Sequence, residues 1–194
     1  MILRRARQSV PPERIELSGC VLRRLTVDDA PAMAVAAAES LEHLHPWMPW
    51  ATPEGVSVAA QRERMSGPGW SWGPDTDYAW GIFLPDGSLV GSVGLHRRVG
   101  PGALEIGYWV HVDHTRRGLA TAAAAALTDA GFALAGTRRM EIHCDAANTA
   151  SAAIPVKLGY TLVGSHHHEP EAPGEEGRRL VFAVYERQWK KRPR

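Results

Sequence analysis

The sequence predicts a mixed α/β fold, and three observations carry that reading. Period-two alternation recurs in several short segments, apolar residues at helical spacing recur in others, and the two kinds interleave along the chain without internal repeat. At 194 residues, 44% hydrophobic and 22% charged, the chain has the size and composition of one globular domain with a proper core. Residues 1–14 are basic, run through Pro11-Pro12 and carry no period, so they are expected to form a flexible arm, with 15–194 as the single domain.

In chain order, Ile15 to Leu25 alternates as a strand. Asp28-Asp29 then precede a Pro-initiated, Ala-rich helix from Pro31 to Ala38, its acidic residues at the positive end of the dipole. A short helix is expected within Glu39 to Trp50 and another from Val56 to Met65. Gly67 to Asp77 is rich in Gly, Pro and Trp and reads as a loop carrying Trp70 and Trp72. Tyr78–Leu84 and Ser88–His96 flank Pro85-Asp86-Gly87, which predicts an antiparallel hairpin. Leu104 to Val112 places Leu104, Ile106, Tyr108 and Val110 on one face of a half-buried strand, with Glu105, Gly107, Trp109 and His111 on the other. Leu119, Ala123, Leu127, Ala130 and Leu134 predict a helix from Gly118 to about Ala135. A strand at Arg139–Cys144, a helix from Asn148 toward Leu158, and strands at Tyr160–Val163 and Leu180–Trp189 complete the order, with a polar loop from Ser165 to Gly177.

Twenty-two Lys and Arg against twenty-one Asp and Glu leave a net charge of +1, so no global field is present to hold nucleic acid or an anionic membrane. The two cysteines, Cys20 and Cys144, lie far apart, which argues against a disulfide scaffold and a zinc module and fits a reducing cytoplasm. The start of the chain lacks the apolar core of a signal peptide, and the most apolar stretch, Thr121 to Ala135, is too short to span a bilayer. Consecutive His166, His167 and His168 point in different directions with no flanking partner at ligand spacing, so an exposed loop is expected and no metal.

The segment richest in chemistry runs from Tyr108 to Thr121. A strand passes through a polar turn into a helix whose first turn holds Gly118, Ala120 and Thr121, all small, after Arg116 and Arg117. Unpaired N–H groups at a helix start, small residues and two cations suit a pyrophosphate; a solvated loop before a helix would look the same.

Thr115-Arg116-Arg117-Gly118-Leu119-Ala120 resembles the acetyl-CoA loop of the Gcn5-related N-acetyltransferases (GNAT), matching at Gly118 and Ala120 and departing at Thr115, where Gln or Arg is usual. Asn148-Thr149-Ala150-Ser151 with Lys157-Leu158-Gly159-Tyr160, and the strand Glu105 to Val110, resemble further segments of that family. Ser40 to Trp50 and Ser151 are similar to the Rim type, ribosomal-protein N-terminal acetyltransferases. The resemblance implies a mostly antiparallel sheet with splayed central strands flanked by helices, acetyl-CoA on one side of the gap and an amine on the other. It implies cofactor contacts at Val110, His111, Val112, Arg116, Arg117, Gly118, Leu119, Ala120 and Thr121, and at Asn148, Ser151 and Lys157. An acceptor pocket is implied around Glu42, His43, His45, Trp47, Trp50 and Trp72, and Trp47, Trp50, Trp70 and Trp72 together suggest an aromatic wall for it.

Acyl transfer to an amine needs a base, a polarised carbonyl and a proton for the thiolate. Many relatives place a Tyr seven residues after the Asn, but here that position is Pro155. Ser151 is then the expected acid, unless it only caps its helix, and Glu105 the expected base, unless it is only a salt-bridged carboxylate. The expected acceptor is a protein or peptide α-amino group. A small amine, such as an antibiotic or aminoacyl nucleotide, and a non-catalytic acyl-CoA-binding module stay open, as does the oligomeric state, a homodimer included.

Overall fold

A computed structural model of the chain describes residues 8–67 and 70–192. Residues 1–7, half of the expected arm, and positions 68–69 of the Trp-bearing loop lie outside the described residues. Residues 8–14 are tied down, not loose. Gln8 exchanges backbone hydrogen bonds with Ala133 and Ala135, Trp80 donates its indole N–H to the Pro12 carbonyl, and Arg14 opens the first strand.

Among the described residues the strands are β1 (Arg14–Leu17), β2 (Cys20–Arg24), β3 (Tyr78–Phe83), β4 (Leu89–His96), β5 (Ala103–Val110), β6 (Arg139–Asp145), β7 (Thr161–His167) and β8 (Arg178–Tyr185). They form one sheet in the order β1-β2-β3-β4-β5-β6-β8-β7. The segment expected as one strand from Ile15 to Leu25 is a hairpin. Gly19 sits at φ +85°, a left-handed turn that glycine alone takes without strain, and the two-residue turn hides itself by letting the alternation run on into β2. The last strand stops at Tyr185. A helical turn, α6 (Glu186–Trp189), then buries Trp189 against Tyr160, its indole N–H donated to Asp129.

Helices α1 (Ala30–Glu39), α2 (Leu41–Leu44) and α3 (Val58–Ser66) cover one face, joined by buried Met33, Leu44 and Met65 with Leu89 and Trp109 of the sheet. On the other face α4 (Leu119–Ala133) and α5 (Thr149–Lys157) pack Leu127 and Ala124 against Leu104, Ile106, Met140 and Ile142. Both faces being covered, β5 is buried on both: Glu105 and Trp109 are only 5% and 9% exposed. Among the described residues no helix is long and apolar enough to cross a membrane.

Every neighbouring pair of strands is antiparallel except β5 and β6, whose parallel pairing is allowed by the crossover helix α4 between them. That pairing lasts three residues, Ala103 with Arg139, Leu104 with Met140 and Glu105 with Glu141. Beyond it β5 stays with β4 and β6 stays with β8, so the two strands part and leave facing backbone edges unpaired in the middle of the sheet.

The polar loop is shorter and better anchored than the sequence suggests. His166 and His167 extend β7, and the buried Asp145 carboxylate accepts the N–H groups of Ala147, Glu176, Gly177 and Arg178 while facing His168 Nε2 at 3.2 Å. Burial pushes this carboxyl up, but those donors outweigh it and bring it down to about 2. A lowered folded-state value stabilises above the ordinary carboxylate pKa of about 4, and the contribution is lost as pH falls toward about 2. Asp145→Asn is expected to cost about 1.5–3 kcal/mol at neutral pH. For a chain of this size that is roughly 3–12 °C of melting temperature, a gap that should narrow on acidification.

Candidate active site

The gap between β5 and β6 opens into a cavity of about 870 Å³. Its floor is one face of β4 and β5: Ser92, Gly94 and His96 lie beside their cross-strand partners Trp109, Gly107 and Glu105. Met33, Trp47, Trp50, Gln61, Arg64 and Trp70 wall it on the α1–α3 side, and Cys144, Asp145, Asn148 and Ser151 on the β6–α5 side. Trp50 meets Trp109 at 5.9 Å between ring centroids, and the Arg64 guanidinium stacks over Trp50 at 4.7 Å.

Of the residues expected on the acceptor side, Trp47, Trp50 and Trp70 line the cavity and the others do not. Glu42 and His43 are exposed on α2, because the one-turn helix buries Leu44 and turns the opposite face to solvent. His45 faces the Ala51 carbonyl with Nδ1 at 2.8 Å and holds the following turn. Trp72 belongs to the core, packed edge-on against Tyr78 and Trp80. Its φ of +59° turns it inward, and Trp70 takes the cavity position.

On the cofactor side, Arg116 at φ +60° and Gly118 at φ +82° curl the chain into α4. Gly118 is the N-cap, and the first intrahelical bond runs from Ala122 to its carbonyl. The N–H groups of Leu119, Ala120 and Thr121 therefore lack intrahelical partners. A Cβ built on Gly118 would meet no protein atom within 4 Å, so the ground above the helix start is open. Arg116 and Arg117 are exposed there. Thr115 donates its hydroxyl to the Val112 carbonyl, shaping the turn where a longer side chain is usual. Val110 ends β5, and His111 is fastened to Glu39 at 2.9 Å. Val112 N–H already serves Ser40 Oγ, and exposed Lys157 lies off the cavity.

The two arms meet at a polar cluster. Asn148 caps α5 by accepting the Ser151 N–H, so the cap is Asn148 and the Ser151 hydroxyl is not used for it. Pro155 stands inside α5 and has no N–H to give the Ser151 carbonyl. Tyr108 supplies the missing donor, its hydroxyl 3.1 Å from that carbonyl and 3.2 Å from Ser151 Oγ. Burial pushes the Tyr108 phenol well above its ordinary value and the Cys144 thiol up to about 11, so both keep their protons at neutral pH.

Glu105 is buried and bound by both arms of Arg98, Nη2 at 2.7 Å and Nε at 2.8 Å. Burial pushes its carboxyl up, but Arg98, with His143 and His96 farther off, outweighs this and holds it below the ordinary carboxylate range. A carboxylate so held is a poor base for an ammonium. His143 lies between Glu141 at 2.6 Å and Glu105 at 3.8 Å. Tyr108, Cys144, His96, His143 and Arg98 carry no motif, and the alternation of β5 assigns Tyr108 to the core.

Proton donors beside a split between parallel strands and an aromatic chamber that continues it, with an open helix start following β5 in the chain, suit acyl transfer. The chain belongs to the acetyltransferase (GNAT) domain family, whose profile matches residues 20–161. It is 27% identical over 171 residues to the Bacillus subtilis (strain 168) protein named "Putative ribosomal N-acetyltransferase YdaF", covering 87% of this chain and 92% of that one. Mycobacterium smegmatis RimJ, solved in complex with CoA-disulfide, superposes with a TM-score of 0.77 at 26% identity over 87% of this chain and 82% of that one. The microcin C7 self-immunity acetyltransferase MccE, solved with acetyl-CoA and AMP, shares the fold with a TM-score of 0.76 at 17% identity, over 91% and 98% of the two chains.

Proposed function

We propose that the protein transfers the acetyl group of acetyl-CoA to a protein or peptide N-terminal α-amino group. The observation that carries the reading is the continuous cavity that joins the β5–β6 gap to the chamber under α1–α3. In this reading the pyrophosphate rests on the N–H groups of Leu119, Ala120 and Thr121, near Arg116 and Arg117. The pantetheine arm pairs with the open edge of β5 up to Val110, bringing the thioester to Ser151.

Attack by the amine nitrogen on the acetyl carbon breaks the C–S bond, and Ser151 Oγ–H, which lines the cavity beside Tyr108, is the proposed donor of the proton that the leaving sulfur takes. Cys144 remains a protonated thiol, which supports direct transfer over an acetyl-cysteine intermediate. The likeness to YdaF, whose name is that of a ribosomal N-acetyltransferase, supports a peptide acceptor.

A second reading has its own observation. Four tryptophans, Trp47, Trp50, Trp70 and Trp109, line the chamber and suit a planar small amine. The likeness to MccE, solved with AMP, points the same way. Thiol release from acetyl-CoA, measured over a panel of free N-terminal peptides and small amines, separates the two. Turnover of peptides supports the first reading, and turnover confined to small amines replaces it with the second.

A further inference from the structure

With Glu105 committed to Arg98, the proton of the attacking amine needs another acceptor, and one ring on the chamber floor is arranged for it. His96 ends β4 with its side chain on the cavity face. Its Nδ1 lies 2.9 Å from Asp77 Oδ2, and the other Asp77 oxygen accepts the Arg97 N–H at 2.9 Å, which fixes the carboxylate. An ionised carboxylate only accepts, so Nδ1 carries the hydrogen and the neutral ring presents a lone pair at Nε2.

That nitrogen lies over Gly94 and Gly107, which face each other across β4 and β5. A Cβ would stand 2.9 Å from Nε2 at Gly94 and 3.2 Å from it at Gly107. The two glycines thus leave the slot the ring occupies, and among the described residues no protein group bonds to Nε2. The pairing also shows on the acid: burial pushes the Asp77 carboxyl up, but the hydrogen bonds from His96 and Arg97 hold it below its ordinary range.

We propose that His96, oriented by Asp77, is the general base of this acetyltransferase, and that Glu105 positions Arg98 and the β5–β6 junction. The inference rests on the amine-acetylation reading above but not on which amine is the acceptor. Nε2 takes a proton from the attacking nitrogen as the N–C bond forms. The electron pair of the breaking C–S bond leaves on sulfur, which is protonated from the Ser151 side, and the imidazolium returns its proton to solvent. The charged groups around the ring are Asp77 and Arg97 beside it, the Arg98–Glu105 pair across β5, and His143 with Glu141 on β6. They all remain in the variants below, apart from the one replaced.

His96→Gln keeps a polar side chain of similar reach and cannot take the proton. With an amine that the panel shows wild type to acetylate, its turnover at neutral pH is expected to fall by roughly 10²- to 10⁴-fold. Acetyl-CoA affinity by calorimetry should hold, and the deficit should shrink as pH rises and the amine arrives already neutral. Asp77→Asn should lose less and move the acid limb of the pH profile, which a merely structural contact would leave in place. Nitrogen-15 NMR of the histidines supplies a readout independent of any acceptor: neutral His96 is expected as the Nδ1–H tautomer. Turnover in His96→Gln within about twofold of wild type, or an Nε2–H tautomer, overturns the proposal. If wild type acetylates no amine of the panel, the acetylation reading fails and the base assignment falls with it; an Nδ1–H tautomer then reports only the pairing with Asp77.

Discussion

Gly118→Val is expected to weaken acetyl-CoA binding by roughly a hundredfold or more, about 2.8 kcal/mol, in a protein that still folds. Two effects are mixed in that variant and can be separated. Gly118 sits at φ +82°, where any residue with a Cβ pays about 1–2 kcal/mol of backbone strain. An added Cβ meets nothing of the protein within 4 Å, so the steric cost of the side chain is expected to fall on whatever approaches the first turn of α4. Gly136 offers the control, with φ +84° and no atom within 4 Å of an added Cβ, but in the connection from α4 to β6. Gly136→Val should show a similar loss of melting temperature with acetyl-CoA affinity intact. If calorimetry finds Gly118→Val folded and binding acetyl-CoA as wild type does, the pyrophosphate does not lie on the N–H groups of Leu119, Ala120 and Thr121.

The parts of this site that could be read in the sequence are those built from local backbone. The turn into α4 announces itself because a glycine in a left-handed conformation and small residues in a first helical turn are needed within a few positions of one another. Asn148 is legible for the same reason, as the cap of the next helix. What could not be read depends on distant residues meeting. Tyr108 follows Leu104 and Ile106 on the core-facing side of β5, and only the crossing of α5, with Pro155 leaving one carbonyl free, gives its hydroxyl a polar role. His96 and Asp77 pair because β3 and β4 are neighbours in the sheet, whereas His43 and His45, expected at the acceptor pocket, belong to α2 and the residue after it, a single turn whose buried side is Leu44. Glu105 was legible as a residue on the right strand face, but its ion pair with Arg98 comes from the loop after β4. The tryptophans divide by backbone conformation: hydrophobicity cannot tell Trp70 from Trp72, and the positive φ at Trp72 does.

Ser151→Ala is expected to reduce turnover by roughly 10²-fold, near the lower end for general-acid loss, while acetyl-CoA affinity and melting temperature stay close to wild type. The stability half of that expectation follows from the hydrogen bonds. The cap at the start of α5 is made by the Asn148 side chain with the Ser151 backbone N–H, and Tyr108 donates to the Ser151 backbone carbonyl, so both interactions survive removal of the hydroxyl. The turnover half follows from what the hydroxyl is free to do. Ser151 Oγ lies 3.2 Å from the Tyr108 oxygen and within hydrogen-bond reach of the Cys144 thiol, and its O–H can turn from these to a sulfur arriving between β5 and β6. An interaction made only as the C–S bond breaks lowers turnover without weakening ground-state binding. Tyr108→Phe provides the contrast. It leaves the carbonyl that Pro155 cannot serve without a donor, costing about 1–3 kcal/mol of stability, and it lowers turnover only as far as Ser151 shifts. Kinetics of both variants with the same acceptor distinguish the roles: a larger turnover loss in Ser151→Ala, paired with a larger loss of stability in Tyr108→Phe, assigns the acid to Ser151. Wild-type turnover in Ser151→Ala removes it from the mechanism and leaves solvent to protonate the thiolate.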